Sequence, residues 1–96
     1  MLIIAGKLYV EPECREEYLA SLENVIRRAR PQPGCLDCVI AADPVEAGRI
    51  NQFEQWQSEE HFAAWQAIVD PPAPVTEVLS ENVKKYEISE SGPVFP

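Results

Sequence analysis

The sequence predicts an α+β domain of order β-α-β-β-α-β, an antiparallel sheet with two helices on one face. Three observations predict it. Four short runs are rich in β-favouring residues, Leu2–Val10, Cys35–Ala42, Arg49–Trp56 and Asn82–Ser89. Two stretches between them carry apolar residues at helical spacing. Proline- and glycine-bearing breakers separate the pieces, at Pro12, Pro31–Gly34, Asp43–Gly48 and Pro71–Pro74. With 96 residues the chain has room for one domain only, a core over about 1–88 and a tail over 89–96.

The first strand, Leu2–Val10, is apolar on both sides, with Ile4, Leu8 and Val10 on one face and Ile3, Ala5 and Tyr9 on the other. A small antiparallel sheet normally wets one face, so a strand apolar on both needs cover on both. Pro12 suits the first turn of a helix that runs to Arg30. Tyr18, Leu19, Leu22, Val25, Ile26 and Ala29 form its buried stripe, while Glu16, Glu17, Glu23, Arg27 and Arg30 face water. The second strand, Cys35–Ala42, is again apolar on both sides. Asp43–Gly48 then supplies a hairpin loop into the third strand.

Arg49–Trp56 hands directly to a helix. Ser58 reads as its N-cap, Glu59 and Glu60 suit the positive end of the dipole, and Pro71-Pro72 stops it near Asp70. Both tryptophans and the single histidine lie on this stretch, which makes it the first place to seek a small-molecule site. A short helical turn is expected over Thr76–Ser80. Asn82–Ser89 is the last strand, with lysines that suit an edge. Phe95 in the tail would be costly to leave in water and is expected to dock on another subunit.

Composition excludes several classes. Sixteen acidic residues against eight basic ones give a net charge of −8, which a phosphate backbone would repel, so no nucleic-acid partner is expected. No apolar run is long enough to span a membrane, and the opening residues lack signal-peptide features, which makes the cytoplasm the default location. Three cysteines without a secretion signal argue against a disulfide framework. Cys35 and Cys38 match C-x-x-C, but residues three apart on a strand point to opposite faces, which suits neither chelation nor a disulfide. They read as buried structural cysteines, and no metal site is expected.

Right-handed crossovers place both helices of this ferredoxin-like order on one face of the sheet. The other face is bare, yet apolar. A second copy packed sheet against sheet would cover it.

Pro33-Gly34-Cys35 after the long helix, then Glu54-Gln55-Trp56-Gln57-Ser58 ahead of the short one, resembles the antibiotic biosynthesis monooxygenase (ABM) domain. The family wording is Pro-Gly-Cys followed by Glu-x-Trp-x-(Asp/Ser)-x-(Glu/Ala), and the match runs from about Met1 to Ile88. The resemblance implies a dimeric α+β barrel, a homodimer formed through the sheet face. It also implies a cofactor-independent monooxygenase that uses O₂ on a small aromatic substrate such as a quinol or polycyclic phenol. Two alternatives share the fold: a non-catalytic dimeric ligand-binding or stress-response module, and a small-molecule isomerase. Haem-degrading relatives need a histidine near position 66 and an asparagine early in the first strand. This chain has Gln66 and Gly6-Lys7 there, so haem is not expected.

Each candidate site residue has a structural reading beside the functional one. Trp56 matches the family tryptophan and would stack on substrate, or simply close the strand–helix corner. Glu54 matches the family glutamate, and its carboxylate would take a proton or pair with an arginine such as Arg49. His61 is a general base by its ordinary pKa, or simply a solvated histidine in the first turn of a helix, and the family histidine position, nine residues after the tryptophan, holds Trp65 here. Phe62 and Trp65 would wall an apolar cavity or fill core. Asn51 and Gln52 are amides able to hold a phenolate, and Gln52 shares a face with Trp56. Tyr9 and Tyr86 would donate hydrogen bonds to a substrate oxygen or to backbone.

Overall fold

The computed structural model describes residues 1–95. Its elements are β1 (Leu2–Tyr9), a 3-10 turn (Pro12–Cys14), α1 (Arg15–Ala29), β2 (Cys35–Ala42), β3 (Arg49–Trp56), α2 (Glu59–Ile68) and β4 (Ser80–Glu87). The four strands form one antiparallel sheet in the order β2-β3-β1-β4. The expected α+β, ferredoxin-like architecture is therefore present.

Boundaries differ where local chemistry competes. Pro12 opens a 3-10 turn rather than α1, and α1 follows it directly. Helix α2 stops at Ile68, two residues before the expected Asp70. Val69 is already extended at ψ 133, and Asp70 precedes Pro71, whose ring disfavours helical backbone before it. The expected turn of helix over Thr76–Ser80 is absent. That segment is irregular up to Ser80, which enters β4 and pairs with Tyr9. Strand β4 lies two residues earlier than its own propensity suggests, because it pairs with β1 along its full length, Tyr9 to Leu2.

Period-two alternation sorts the sheet into two faces. Leu2, Ile4, Leu8, Ile50 and Trp56 are buried beneath the helices, with Val10 just beyond β1. They form two apolar clusters, one around Trp56 and Trp65, the other around Leu8, Val10 and Ile50. Gly6 lies between them on β1. A Cβ there would run into the Asn82 carbonyl of β4, so glycine permits this close strand approach.

A β-bulge changes the cysteine geometry. Pairing passes from Cys35↔Trp56 to Asp37↔Gln55 and Cys38↔Glu54, leaving Leu36 as the extra residue. Trp56 and Glu54 share a face, so Cys35 and Cys38 share it too, contrary to simple alternation. Both are free thiols packed in the Trp56 cluster, Cys38 buried and Cys35 half-buried.

The β2–β3 loop is tied from three sides. Arg15 Nη1 donates to the carbonyls of Asp43 (3.2 Å), Glu46 (2.9 Å) and Arg49 (3.3 Å). The Asp43 carboxylate accepts from the backbone N–H groups of Glu46 (2.8 Å) and Val45 (3.0 Å), and from Asn51 Nδ2 (2.9 Å). The Glu46 amide, then Asn51 and Val45, hold the Asp43 carboxyl down from 3.8 to about 2. A carboxyl depressed on folding stabilises the native state above its unfolded pKa and loses that contribution as pH falls through the folded value. Urea midpoints followed from pH 4 to pH 2 are thus expected to fall more steeply in wild type than in Asp43→Asn, whose amide does not titrate. Parallel profiles would contradict this role for Asp43.

Candidate functional site

Three alternate residues of β3, Gln52, Glu54 and Trp56, project toward the helices. Glu54 is the one buried charged residue on this face among the described residues, 8 % exposed. Its two oxygens are divided between neighbours: Trp56 Nε1 donates to Oε1 (3.2 Å) and Gln52 Nε2 donates to Oε2 (2.9 Å). No cation among the described residues pairs with it. The expected Arg49 partner is on the opposite face, where it meets Asp43 and Glu46 instead. Burying a carboxylate costs several kcal/mol, roughly, unless hydrogen bonds compensate, and here two charge-assisted donors do so. Across the ladder Glu54 faces Ile4 and Cys38. Burial pushes the Cys38 thiol up to about 12, with Glu54's charge adding to it, so this thiol stays protonated at neutral pH. Burial and Glu54 raise Cys35 as well.

Helix α2 closes over this cluster through a corner built by the sequence on both sides. Ser58 caps the helix, accepting from His61 N (3.2 Å), and its Oγ meets His61 Nδ1 at 2.7 Å. The His61 ring lies over Gly34, which has φ +83; a side chain at Gly34 would collide with it. Gln57 N donates to the Gly34 carbonyl (2.8 Å). His61 is thus engaged in joining the α1–β2 turn to the start of α2. Phe62 packs on Trp56 with ring centroids 5.7 Å apart at 53°. Trp65 is buried and carries the Arg28 guanidinium over its ring at 5.5 Å.

The structure therefore brings Gln52, Glu54, Trp56, Phe62 and Trp65 together, with His61 at the rim. Asn51, Tyr9 and Tyr86 are elsewhere, on the open face of the sheet, because each is an odd step away from the helix-facing set. Tyr9 donates to Glu46 Oε2 (2.9 Å), which raises its pKa. Asn51 bridges Arg49 (2.7 Å) and Asp43 (2.9 Å). Tyr86 is 48 % exposed opposite Ile3. None of the three can share a pocket with Trp56 within one chain. Trp56 itself is fully buried and Trp65 nearly so, which makes both core as well as neighbours of the carboxylate.

Residues that sequence reasoning passed over form a cleft of about 220 Å³ between α1 and the proline-rich connector after α2. Tyr18, Ser21 and Leu22 make one wall, and Pro71–Thr76 with Val78 the other. Burial raises the Tyr18 pKa, so its phenol remains a donor. The available signal was a polar-tipped Tyr18 within an otherwise aliphatic stripe, read only as core. Among the described residues no cluster of three or more histidine, cysteine or carboxylate groups is arranged to hold a metal.

Comparison with known proteins identifies the family and the fold. The family model described as antibiotic biosynthesis monooxygenase matches residues 1–68. An uncharacterized protein of a Synechocystis strain is 30 % identical over 57 residues, 59 % of this chain but 39 % of its own length. The chain thus spans well under half of that curated relative. A Deinococcus radiodurans structure, described as a putative antibiotic biosynthesis monooxygenase, superposes with TM-score 0.81 over the whole of both chains at 19 % identity. The haem-degrader MhuD of Mycobacterium tuberculosis, with two haems in its active site, superposes with TM-score 0.68 at 15 % identity. That match covers 97 % of this chain and all of MhuD. At such identities the structural likeness speaks for fold.

If Trp56 is core, its removal should be severe. Trp56→Ala is expected to lower unfolding free energy by about 3–5 kcal/mol in urea denaturation. A loss below about 1 kcal/mol would mean that the indole is an open pocket wall instead.

Proposed function

The chain belongs to the antibiotic biosynthesis monooxygenase family, and we propose that it is a cofactor-independent oxygenase of small aromatic hydroquinones. The observation that supports this reading most is Glu54. A carboxylate buried without a cation, with one lone pair on each oxygen still free, is a group able to accept a phenolic proton. Gln52, half-buried beside it, offers an amide to the substrate oxygen. His61 is assigned a positioning role, since Ser58 and Gly34 already occupy its ring.

The chemistry balances without an added reductant. Glu54 takes the hydroquinone proton, and the resulting anion passes one electron to O₂, giving a semiquinone and superoxide. Their recombination at ring carbon, followed by loss of water, converts hydroquinone and O₂ into a hydroxylated quinone and water. All four electrons come from the substrate. The apolar surroundings, Ile4, Cys38, Phe62 and Trp65, would keep bulk water from the anion.

The same reading includes a homodimer through the open sheet face. Val39, Phe53 and Tyr86 stand exposed there beside Ile3 and Ala5, and a second copy would bury them. Phe95, 84 % exposed in the isolated chain, would dock in that assembly. Haem is not our choice of substrate, because Gln66 is an exposed amide on α2 and not a ligand-bearing histidine.

A second reading, a non-catalytic ligand-binding module, is favoured by one observation: Trp56 has no exposed surface to stack on a substrate. Oxygen uptake separates the two. With a quinol panel and metal-stripped protein, wild type is expected to consume O₂, and Glu54→Gln to lose about 100-fold or more in rate while remaining folded. Uptake equal in wild type and Glu54→Gln would remove the carboxylate from the mechanism; binding without uptake would favour the module. Sedimentation is expected to give twice the 10.8 kDa chain mass at micromolar concentration, and a stable monomer would contradict the dimer.

A further inference from the structure

We propose that the cleft between α1 and the proline-rich connector binds a small neutral carbonyl compound with an apolar body of one or two rings. The inference does not rest on the oxygenase reading. None of the cleft-lining residues belongs to the Glu54–Trp56 cluster.

Size comes first. The cleft holds about 220 Å³, more than the roughly 150 Å³ of an engineered cavity that takes benzene, and enough for a fused bicycle. Its lining is mostly hydrocarbon: Leu22, Pro71, Pro72, Val75 and Val78. No lining residue is charged at neutral pH, so an ion bound there would lose hydration without gaining a partner. The chain's charge of −8 disfavours anions further.

The lining hydroxyls are those of Tyr18 and Ser21 on the α1 wall and of Thr76 on the connector. Ser21 Oγ is already spent on the Tyr18 carbonyl at 2.6 Å. The Tyr18 hydroxyl makes no hydrogen bond to another described residue. No buried side-chain polar atom among those residues lacks a partner, so this hydroxyl is within reach of solvent or of a ligand. A protonated phenol offers one donor, and a ketone or aldehyde oxygen is its complement. The opposite wall can adapt. Between Val69 and Leu79 no described backbone hydrogen bond ties the connector to the rest of the chain, and prolines 71, 72 and 74 have no N–H to contribute.

The probe is 1-tetralone, with tetralin as the same bicycle lacking oxygen and 1-naphthoate as a charged comparison. Amide shifts in two-dimensional NMR locate binding, and their titration gives affinity. Tetralone is expected to shift Leu22, Thr76 and Val78, with a dissociation constant on the order of 0.1–1 mM. Naphthoate should be weaker. Tyr18→Phe keeps the ring and removes the donor. It should weaken tetralone about three- to tenfold and leave tetralin unchanged. Val78→Trp, at a partly exposed position, should fill the cleft and abolish both. No tetralone shifts up to the solubility limit, shifts centred on Glu54 and Trp56 instead, or equal tetralone affinity in wild type and Tyr18→Phe would each overturn the proposal. The wild-type map decides the location even if a variant folds poorly, and no arm depends on oxygen uptake.

Discussion

A buried carboxylate that must be satisfied by its own strand organises the helix-facing side of this protein. Glu54 can stay under α1 and α2 because Gln52 and Trp56, two residues to either side, turn the same way and donate to it. The cost of its burial is met by those two bonds, and the tryptophan is oriented by one of them. Once the indole is fixed, Phe62 has a ring to pack on and Trp65 completes the cluster. The same constraint places a proton acceptor in an apolar setting, so core packing and candidate chemistry are one arrangement.

The corner at Gly34 shows how distant motifs depend on each other. Glycine is required there twice, by its positive φ and by the His61 ring lying where a side chain would be. His61 is held by Ser58, which also caps α2. Pro33-Gly34-Cys35 and Trp56-Gln57-Ser58 are therefore two halves of a single joint between the α1–β2 turn and the strand–helix turn. A histidine held in this way is poorly placed to serve as a mobile general base.

Much of this was legible in the sequence, for physical reasons that differ by element. β2 and β3 were bounded correctly, because turn chemistry brackets both strands. Ser58 announced α2 by its capping chemistry, and Pro71 its end, though the pre-proline restriction trimmed Asp70. The limits of β4 were not legible, since pairing with β1 sets them and local propensity does not. Nor was the shared face of Cys35 and Cys38, because one bulge at Leu36 reverses the alternation on which the reading relied. At the site, spacing of two correctly joined Gln52, Glu54 and Trp56. The same rule, applied strictly, would have set Asn51, Tyr9 and Tyr86 on the other face. Tyr18 was missed because a helical stripe does not reveal which of its members borders empty space.

The account turns on the bond between Glu54 and the Trp56 indole, and hydrogen exchange of that indole N–H reads it directly. Slow exchange in wild type, accelerated in Glu54→Leu while backbone amides of β1 and β3 remain protected, is the predicted result. Exchange at the rate of a solvent-exposed indole in wild type would mean that the carboxylate does not hold the tryptophan, and would contradict the arrangement described here.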